Sequence, residues 1–474
     1  MTSTLCRILL QAVRLIPIAA LSLTFSHSTA EATGHVDKVT VVSDSLGHRL
    51  QVNGQDFMVN GMNWDYFPIG TDYSYILWDQ PDDFIKAALA QEMAMLKEMG
   101  VNTIRMYTGV QPKWVEYIYQ EFEIYTMLNH SFGRYGFTLN GDWIPNVDYG
   151  DPLFQEALMA EVMAVIQKFK DTPGLLMYLL GNENNYGLFW TGAETEDIPD
   201  GENLETVRAR KMYSLFNDAI NEIHKVDANR PVAICNGDLL FLDLIAQEIE
   251  HLDILGSNVY RGLSFTDFFD TVGSTLDVPV ILTEFGADAF DAKEMREDQE
   301  VQAKYLLGNW QEIYENAAGK GKANNSIGGM TFQFSDGWWK YQQTSNLDVH
   351  DPHASWANGG YLEDLVPGQN NMNEEWFGIC AKGPTDNEGL YKLYPRAAYY
   401  ALKDAHSLNP YDPDVDLVSI QQHFSTINPT AAMLMARNDK AAMASESGMI
   451  GRLQSLGMSL ATLYMRTKFY FTNE

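Results

Sequence analysis

Two glutamates follow apolar segments and could together cleave a glycosidic bond. Glu183 comes after the run 175–180, and Glu284 comes after the run 278–283. Enzymes that hydrolyse glycosides use two carboxyl groups in this way, one protonated to assist the leaving oxygen and one ionised to attack the anomeric carbon. The two glutamates therefore predict glycoside chemistry, provided that the fold brings their strand ends together.

Eight strand-like segments alternate with amphipathic helix patterns, and this alternation predicts an α/β fold of the (β/α)8 TIM-barrel type. A doubly wound open sheet is the alternative, and it is disfavoured because no glycine-rich phosphate-binding loop follows the first strand. The predicted strands are 58–63, 102–107, 135–139, 175–180, 231–235, 254–259, 278–283 and 329–334, and the clearest helices are 84–99, 152–170, 206–226 and 298–318.

On this count Glu183 and Glu284 end strands four and seven. They are about 100 residues apart, which matches three βα units of ordinary length. A barrel places its active site at the carboxyl ends of its strands, and ends three strands apart face each other across the mouth. Two carboxylates there could lie about 5–5.5 Å apart, the separation used for hydrolysis with retention of configuration.

The motifs around both glutamates resemble those of clan A of the retaining glycoside hydrolases. Asn182-Glu183 after strand four and Thr283-Glu284-Phe285-Gly286 at strand seven are most similar to the family 2 catalytic barrel and to the related β-1,3-glucanosyltransferases. The resemblance covers residues 57–402. It implies that Glu183 is the general acid/base and that Glu284 is the nucleophile.

The same resemblance suggests the residues that bind substrate around the pair. Arg105 matches the strand-two arginine beside the nucleophile, Asn182 the asparagine on the sugar 2-hydroxyl, and Tyr260 the strand-six tyrosine. An arginine and a phenol next to Glu284 would favour its charged form. Trp338 and Trp339 fall where the clan carries its strand-eight aromatic. Further aromatic side chains after strand ends or in long loops are candidate sugar platforms: Trp64, Tyr66, Tyr107, Trp143 and Trp190.

Two features depart from the resemblance. Asn184 follows Glu183 where the clan often has proline. Only residues 31–56 separate the N-terminal segment from the first strand, whereas family 2 enzymes carry sandwich domains there. The chain is therefore expected to form a stand-alone barrel over residues 57–408.

The first 30 residues have the pattern of a signal peptide. Arg7 precedes the apolar stretch 8–25, which Arg14 interrupts, and Ser28-Thr29-Ala30 provides small residues for cleavage. We therefore expect a secreted or periplasmic protein, in contact with a membrane only if this segment is not cleaved.

The regions on either side of the barrel have simpler patterns. Asn53-Gly54 between two strand-like runs predicts a hairpin within residues 31–56. Residues 409–474 begin with a Pro/Asp-rich linker and continue with Met- and Ala-rich segments, and their pattern assigns no role. Cys235 and Cys380 could form one disulfide or remain two thiols.

The overall charge limits the partners. Among 474 residues, 63 Asp and Glu outweigh 32 Lys and Arg, and the formal net charge is -31. Such a field repels phosphate backbones, so we expect no nucleic-acid partner, and it favours neutral over polyanionic sugars.

The expected function is therefore hydrolysis of β-linked oligo- or polysaccharides by a retaining β-glycosidase without a cofactor. Three alternatives remain: a transglycosylase with the same site, an inactive carbohydrate-binding barrel, and a metal-dependent hydrolase. The last needs a cluster of His and Asp at strand ends, and the predicted strand ends carry Asn, Glu, Arg and Tyr instead. The oligomeric state stays open.

Overall fold

The computed structural model of the chain describes residues 36–189, 203–340 and 343–441. The predicted signal peptide, Trp190 and the last part of the C-terminal extension, residues 442–474, lie outside these ranges and stay sequence-based predictions. Of the described helices, none is long and apolar enough to cross a membrane.

The described secondary structure is mixed α/β. The strands are β1 Val39–Asp44, β2 Gly47–Val52, β3 Gln55–Asp56, β4 Val59–Asn63, β5 Thr103–Tyr107, β6 Tyr125–His130, β7 Phe137–Leu139, β8 Asp142–Ile144, β9 Leu175–Leu180, β10 Val232–Gly237, β11 Ile254–Asn258, β12 Val280–Phe285, β13 Phe290–Asp291, β14 Arg296–Glu297, β15 Ser326–Thr331, β16 Cys380–Thr385 and β17 Tyr391–Pro395. The α-helices are α1 Asp82–Glu98, α2 Pro112–Phe122, α3 Pro152–Phe169, α4 Asn184–Gly187, α5 Leu204–Val226, α6 Leu242–Glu248, α7 Phe268–Thr275, α8 Gln299–Glu315, α9 Ala397–Ala405 and α10 Leu417–Thr426.

Eight of the strands form a closed parallel barrel in the order β4-β5-β6-β9-β10-β11-β12-β15. The last strand returns to the first, with Gly328 opposite Val59 and Thr331 opposite Met62. All six residues of β9 are buried, as expected for a parallel strand that is covered on both faces. The predicted (β/α)8 barrel is therefore confirmed, and the open-sheet alternative is wrong.

Two of the long helices between the strands begin at a capping aspartate. Asp151 accepts a hydrogen bond from the Leu153 N–H at the start of α3, and Asp298 caps α8 in the same way. Such caps satisfy N–H groups that the first helical turn leaves without partners. The four predicted helices consequently agree with α1, α3, α5 and α8 to within a few residues.

The third strand of the barrel is not the predicted one. The barrel uses β6, and the predicted segment 135–139 instead contributes β7, which pairs with β8 in a hairpin outside the barrel. Between α2 and β6 the chain turns at Glu123, which adopts a left-handed conformation with φ 56°. Neither glycine nor proline marks this boundary, so the residue pattern runs from helix into strand without a visible break.

The N-terminal segment forms a three-stranded sheet, β1-β2-β3, that covers the amino-terminal end of the barrel. Asn53 and Gly54 make the predicted turn, with φ 52° and 80°. The Val39 N–H donates to the Asn229 carbonyl, which precedes β10. Leu50 is fully buried in the same cluster as residues of the barrel interior. This sheet closes the end of the barrel opposite to the strand ends that carry Glu183 and Glu284.

Part of the C-terminal extension packs on the barrel. Ile420 and Phe424 of α10 are buried, and the Phe424 ring meets the ring of Tyr314 on α8 with centroids 5.7 Å apart. Residues 429–441 are also helical. Residues 409–441 therefore extend the barrel's outer layer. Cys235 and Cys380 are both buried free thiols.

Replacing the buried Leu50 should destabilise the fold. We expect Leu50→Ala to lower the free energy of unfolding by about 2–5 kcal/mol, because it leaves a cavity where the sheet meets the barrel interior. The matched control is Leu46→Ala in the β1–β2 turn of the same sheet, where the side chain is 54% exposed and the expected change is within about 0.5 kcal/mol. Urea unfolding followed by circular dichroism measures both, and equal stabilities would contradict the role of this sheet.

Candidate active site

Glu183 lies on a strained turn at the end of β9. Its backbone has φ 55° and ψ 35°, the left-handed conformation, and α4 begins at the next residue. This conformation costs a non-glycine residue about 1–2 kcal/mol, so neighbouring groups must hold it. The Glu183 N–H donates to the Cys235 carbonyl at 3.0 Å, and the Asn182 N–H donates to Asn184 Oδ1 at 2.7 Å. The turn therefore fixes Glu183 at the carboxyl end of its strand.

Glu284 lies in β12, and each of its carboxylate oxygens has a donor. Arg105 Nη1 donates to Oε1 at 2.7 Å, and the Tyr260 hydroxyl donates to Oε2 at 3.3 Å. The Arg105 side chain is only 1% exposed, so water screens this ion pair little. Glu284 is therefore fixed by one cationic and one neutral donor.

The Arg105 guanidinium is itself held by several acceptors. Its Nε and Nη2 both donate to Asn129 Oδ1, at 2.8 and 2.6 Å, and Nη1 also donates to the Thr283 carbonyl at 3.2 Å. Asn129 in turn donates from Nδ2 to the Gly181 carbonyl at 2.8 Å. A buried guanidinium needs this set of partners because an unsatisfied charge would be costly.

Asn182 connects the arginine to the neighbourhood of Glu183. Its Oδ1 accepts from Arg105 Nη2 and from Asn258 Nδ2, both at 3.0 Å. Its Nδ2 donates to the Tyr135 hydroxyl at 2.6 Å. With both ends of the amide engaged, the side chain has one defined orientation.

Glu183 and Glu284 have different electrostatic surroundings. Burial, and after it the negative charge of Glu284, raise the pKa of Glu183 to about 7, against the lowering effects of Asn258, Arg134 and Arg105. A carboxyl group with this pKa carries a proton in a large fraction of molecules at neutral pH. Glu284, by contrast, accepts hydrogen bonds from the guanidinium of Arg105 and the hydroxyl of Tyr260. The two carboxyl groups thus have the unequal environments that acid and nucleophile require.

The structure brings together Glu183, Glu284, Arg105, Asn182 and Tyr260, but it separates Trp338 and Trp339 from the strand-eight position. Because β15 begins and ends three residues earlier than predicted, the residue that directly follows it is Phe332. The Phe332 N–H donates a hydrogen bond to the Phe285 carbonyl, and the centroids of the Phe332 and Tyr260 rings are 6.5 Å apart. The predicted bounds of strand eight are therefore wrong by three residues, and Trp338 and Trp339 lie further beyond the end of the strand than expected.

Trp338 and Trp339 lie further along the loop after β15. Trp338 stacks parallel to His350 with ring centroids 4.8 Å apart, and His350 stacks on Trp376 at 3.7 Å. Trp339 packs against Phe67 at 5.6 Å. A role of the two tryptophans in sugar binding stays a prediction.

Trp64 follows β4 and is part of the core. The residue is only 6% exposed, and its indole N–H donates a hydrogen bond to Glu92 Oε2 of α1 at 2.6 Å. The ring is thus held between β4 and α1, and its part in sugar binding also stays a prediction.

Several polar residues of the site were not identified from the sequence. They share a position at or near the carboxyl end of a barrel strand, and this shared position is the signal that could have found them. They are Asn63, Asn129 and Asn258, with Tyr135 on the loop after β6.

Cys235 lies beneath these residues in the barrel interior. Its Sγ is 3.2 Å from both Asn258 Oδ1 and Thr283 Oγ1. Burial raises the pKa of its thiol to about 11. The group is therefore a neutral thiol at physiological pH and supports the polar layer above it.

No arrangement of three or more His, Cys, Asp or Glu side chains that could hold a metal ion occurs within residues 36–189, 203–340 and 343–441.

Comparisons with known proteins agree with this fold. No family model matches the chain. Over 143 residues, 28% of the chain, it is 31% identical to the 1,3-beta-glucanosyltransferase gel2 of Aspergillus fumigatus and covers 29% of that protein. Over 148 residues, 31% of the chain, it is 24% identical to a beta-galactosidase of Arthrobacter sp. (strain B7) and covers 14% of it.

Among solved structures, a β-glucuronidase of Bacteroides uniformis superimposes with a TM-score of 0.50 at 15% identity, over 78% of this chain and 37% of that one. The β-glucuronidase 2 of the same organism, covalently bound to cyclophellitol-6-carboxylate aziridine, superimposes with a TM-score of 0.50 at 14% identity. This match covers 80% of the present chain and 38% of the β-glucuronidase. The chain thus spans well under half the length of these proteins. The glycoside hydrolase-like barrel indicated by the motifs is confirmed at the level of the fold.

Removing the charge of Glu284 should lower the pKa of Glu183. In Glu284→Gln the repulsion between the two carboxylates disappears, so Glu183 should lose its proton at a lower pH than in the unchanged protein. Carbon-13 NMR of labelled glutamate carboxyls measures this, with Glu183→Gln identifying the signal. Tyr260→Phe is the control, since it leaves the charge of Glu284 in place. An unchanged pKa in Glu284→Gln would show that the two groups do not interact.

Proposed function

We propose that the protein is a retaining β-glycosidase that cleaves neutral β-linked oligo- or polysaccharides by double displacement. The observation that carries the proposal is the asymmetry of the two glutamates: Arg105 and Tyr260 donate to Glu284, whereas burial and the charge of Glu284 keep Glu183 protonated up to a pH of about 7. One group is thus prepared to attack and the other to donate a proton.

In the first step a carboxylate oxygen of Glu284 attacks the anomeric carbon. The bond from this carbon to the leaving oxygen breaks, and Glu183 transfers its proton to that oxygen. The product is a glycosyl ester on Glu284. The ester carries no charge on Glu284, so the repulsion that raises the pKa of Glu183 is gone and this pKa falls. Glu183, which has given up its proton, therefore stays a carboxylate and can accept a proton in the next step.

In the second step Glu183 removes a proton from water, and the water oxygen attacks the anomeric carbon. The ester bond breaks, and Glu284 leaves as a carboxylate that Arg105 and Tyr260 again stabilise. Retention of configuration follows because the anomeric carbon is inverted twice.

A sugar hydroxyl could replace water in this second step, which would make the protein a transglycosylase. The similarity to a protein named a 1,3-beta-glucanosyltransferase, at 31% identity over 143 residues, favours this as the second candidate. An inactive binding barrel is the third. It is less well supported, because a binding protein has no need of two carboxyl groups with opposed protonation.

We expect residues 31–474 to cleave members of a panel of neutral β-linked oligosaccharides that includes β-1,3-glucans. Glu284→Gln should remove turnover, since no nucleophile remains, and Glu183→Gln should reduce it about 10²–10⁴-fold. Mass spectrometry of the products measures both, and shortened or lengthened chains separate hydrolysis from transfer. The matched control is Glu294→Gln, an exposed glutamate in the loop after β13. Full activity in Glu284→Gln would contradict the assignment.

The rate should also depend on the protonation of Glu183. We expect kcat/KM to fall as the pH rises through about 7, because the acid that assists the leaving oxygen is then deprotonated. The measurement is a pH–rate profile for two substrates, an oligosaccharide and an aryl glycoside whose leaving group needs no proton. The fall above pH 7 should be smaller for the aryl glycoside. An alkaline limb of equal size for both substrates would assign that limb to a different group.

A further inference from the structure

Three exposed aromatic side chains lie on β5 and on the segment that follows its neighbour in the barrel, β6. Tyr107 at the end of β5, Tyr135 on the loop after β6 and Trp143 in β8 are 40%, 50% and 62% exposed. We call these three residues the aromatic wall. Most large aromatic side chains of the described chain are buried or half-buried, so exposed rings close to the site require a reason.

The inner part of the wall is attached to the site itself. Arg105 Nη2 donates to the Tyr107 hydroxyl at 3.3 Å, and Asn182 Nδ2 donates to the Tyr135 hydroxyl at 2.6 Å. The two tyrosine rings have centroids 6.4 Å apart. Their polar edges are thus fixed by residues that surround Glu284 and Glu183, while the rings extend toward solvent.

Tyr135 is both supported and available for a ligand. The Arg134 guanidinium lies 5.7 Å from the centroid of its ring, within the range of a cation–π contact. Because Asn182 supplies the proton in its bond to the Tyr135 oxygen, the tyrosine O–H can still donate to a sugar hydroxyl.

Trp143 continues the wall away from the site. It lies on the β7–β8 hairpin, which is outside the barrel, and packs against the bare backbone of Gly136 next to Tyr135. A Cβ atom on Gly136 would be 2.4 Å from Trp143 Cζ2. The glycine therefore leaves the space that the indole occupies, directly after Tyr135 in the chain.

Flat apolar rings that carry polar groups at their edges suit pyranose rings, which present C–H groups on a face and hydroxyls around the rim. We propose that the aromatic wall binds sugar units adjacent to the one that reacts, so that the enzyme recognises an oligosaccharide chain and not a single terminal sugar. This inference rests on the proposed glycosidase function and specifies its substrate class.

The test compares kcat/KM for neutral β-linked di-, tri- and tetrasaccharides. The unchanged protein should prefer the tetrasaccharide over the disaccharide about tenfold or more, equivalent to about 1.4 kcal/mol. Trp143→Ala and Gly136→Ala should lose most of that preference. Gly141→Ala is the matched control: this glycine also has a positive φ, of 92°, and lies in the same hairpin, but a Cβ there meets nothing within 4 Å. It should keep the preference.

Each outcome has a distinct meaning. Loss of the preference in Trp143→Ala and Gly136→Ala, but not in Gly141→Ala, supports the wall. A preference that survives in Trp143→Ala, or an unchanged protein that turns over all lengths equally, overturns the inference and leaves the glycosidase function intact. If the unchanged protein turns over no oligosaccharide, the proposed function fails. In that case calorimetry measures binding of the tetrasaccharide to Glu284→Gln and to the double variant Glu284→Gln/Trp143→Ala. Binding by the single variant that is abolished in the double variant supports the aromatic wall, and any other result overturns it.

Discussion

Arg105 places a permanent positive charge inside the mouth of the barrel, and the arrangement of the site depends on it. A guanidinium that is almost completely buried is tolerated only when its N–H groups meet acceptors. Asn129, Asn182, Glu284 and the Thr283 carbonyl supply them, and they come from strands on several sides of the barrel. The arginine therefore constrains where Glu284 and Asn182, the residue before Glu183, can lie.

The same charge makes the two glutamates unequal. Glu284 pairs directly with the guanidinium, and its ionised state then acts on Glu183, which has no such ion pair at short distance among the described contacts. Two identical side chains at the ends of two strands thus acquire different chemistry from their surroundings. Burial of both groups strengthens the effect, because a low-dielectric environment screens charges little.

Beneath this polar layer the barrel interior is apolar and rigid. Met177, Ile281 and Met330 fill it together with Leu50 of the N-terminal sheet, and close packing of this kind has low compressibility. The loops above it carry the features that differ from an ideal barrel, such as the β7–β8 hairpin. A rigid base and variable loops allow one fold to bind different sugars, which is consistent with a shared fold at 14–15% identity to the β-glucuronidases.

The sequence by itself determined the barrel, its N-terminal turn and the two glutamates with Arg105, Asn182 and Tyr260. These depend on local signals: apolar runs that end in polar residues, capping aspartates and the pair Asn53-Gly54. The third strand could not be placed correctly, because Glu123 makes its turn without glycine or proline, and strand eight was shifted by three residues, so that Trp338 and Trp339 lie further beyond its end than expected. Only the tertiary structure decided that Asn129, Asn258 and Tyr135 join the site. Their contacts connect residues that are distant in sequence, and no local pattern records which strand ends a closed barrel brings together.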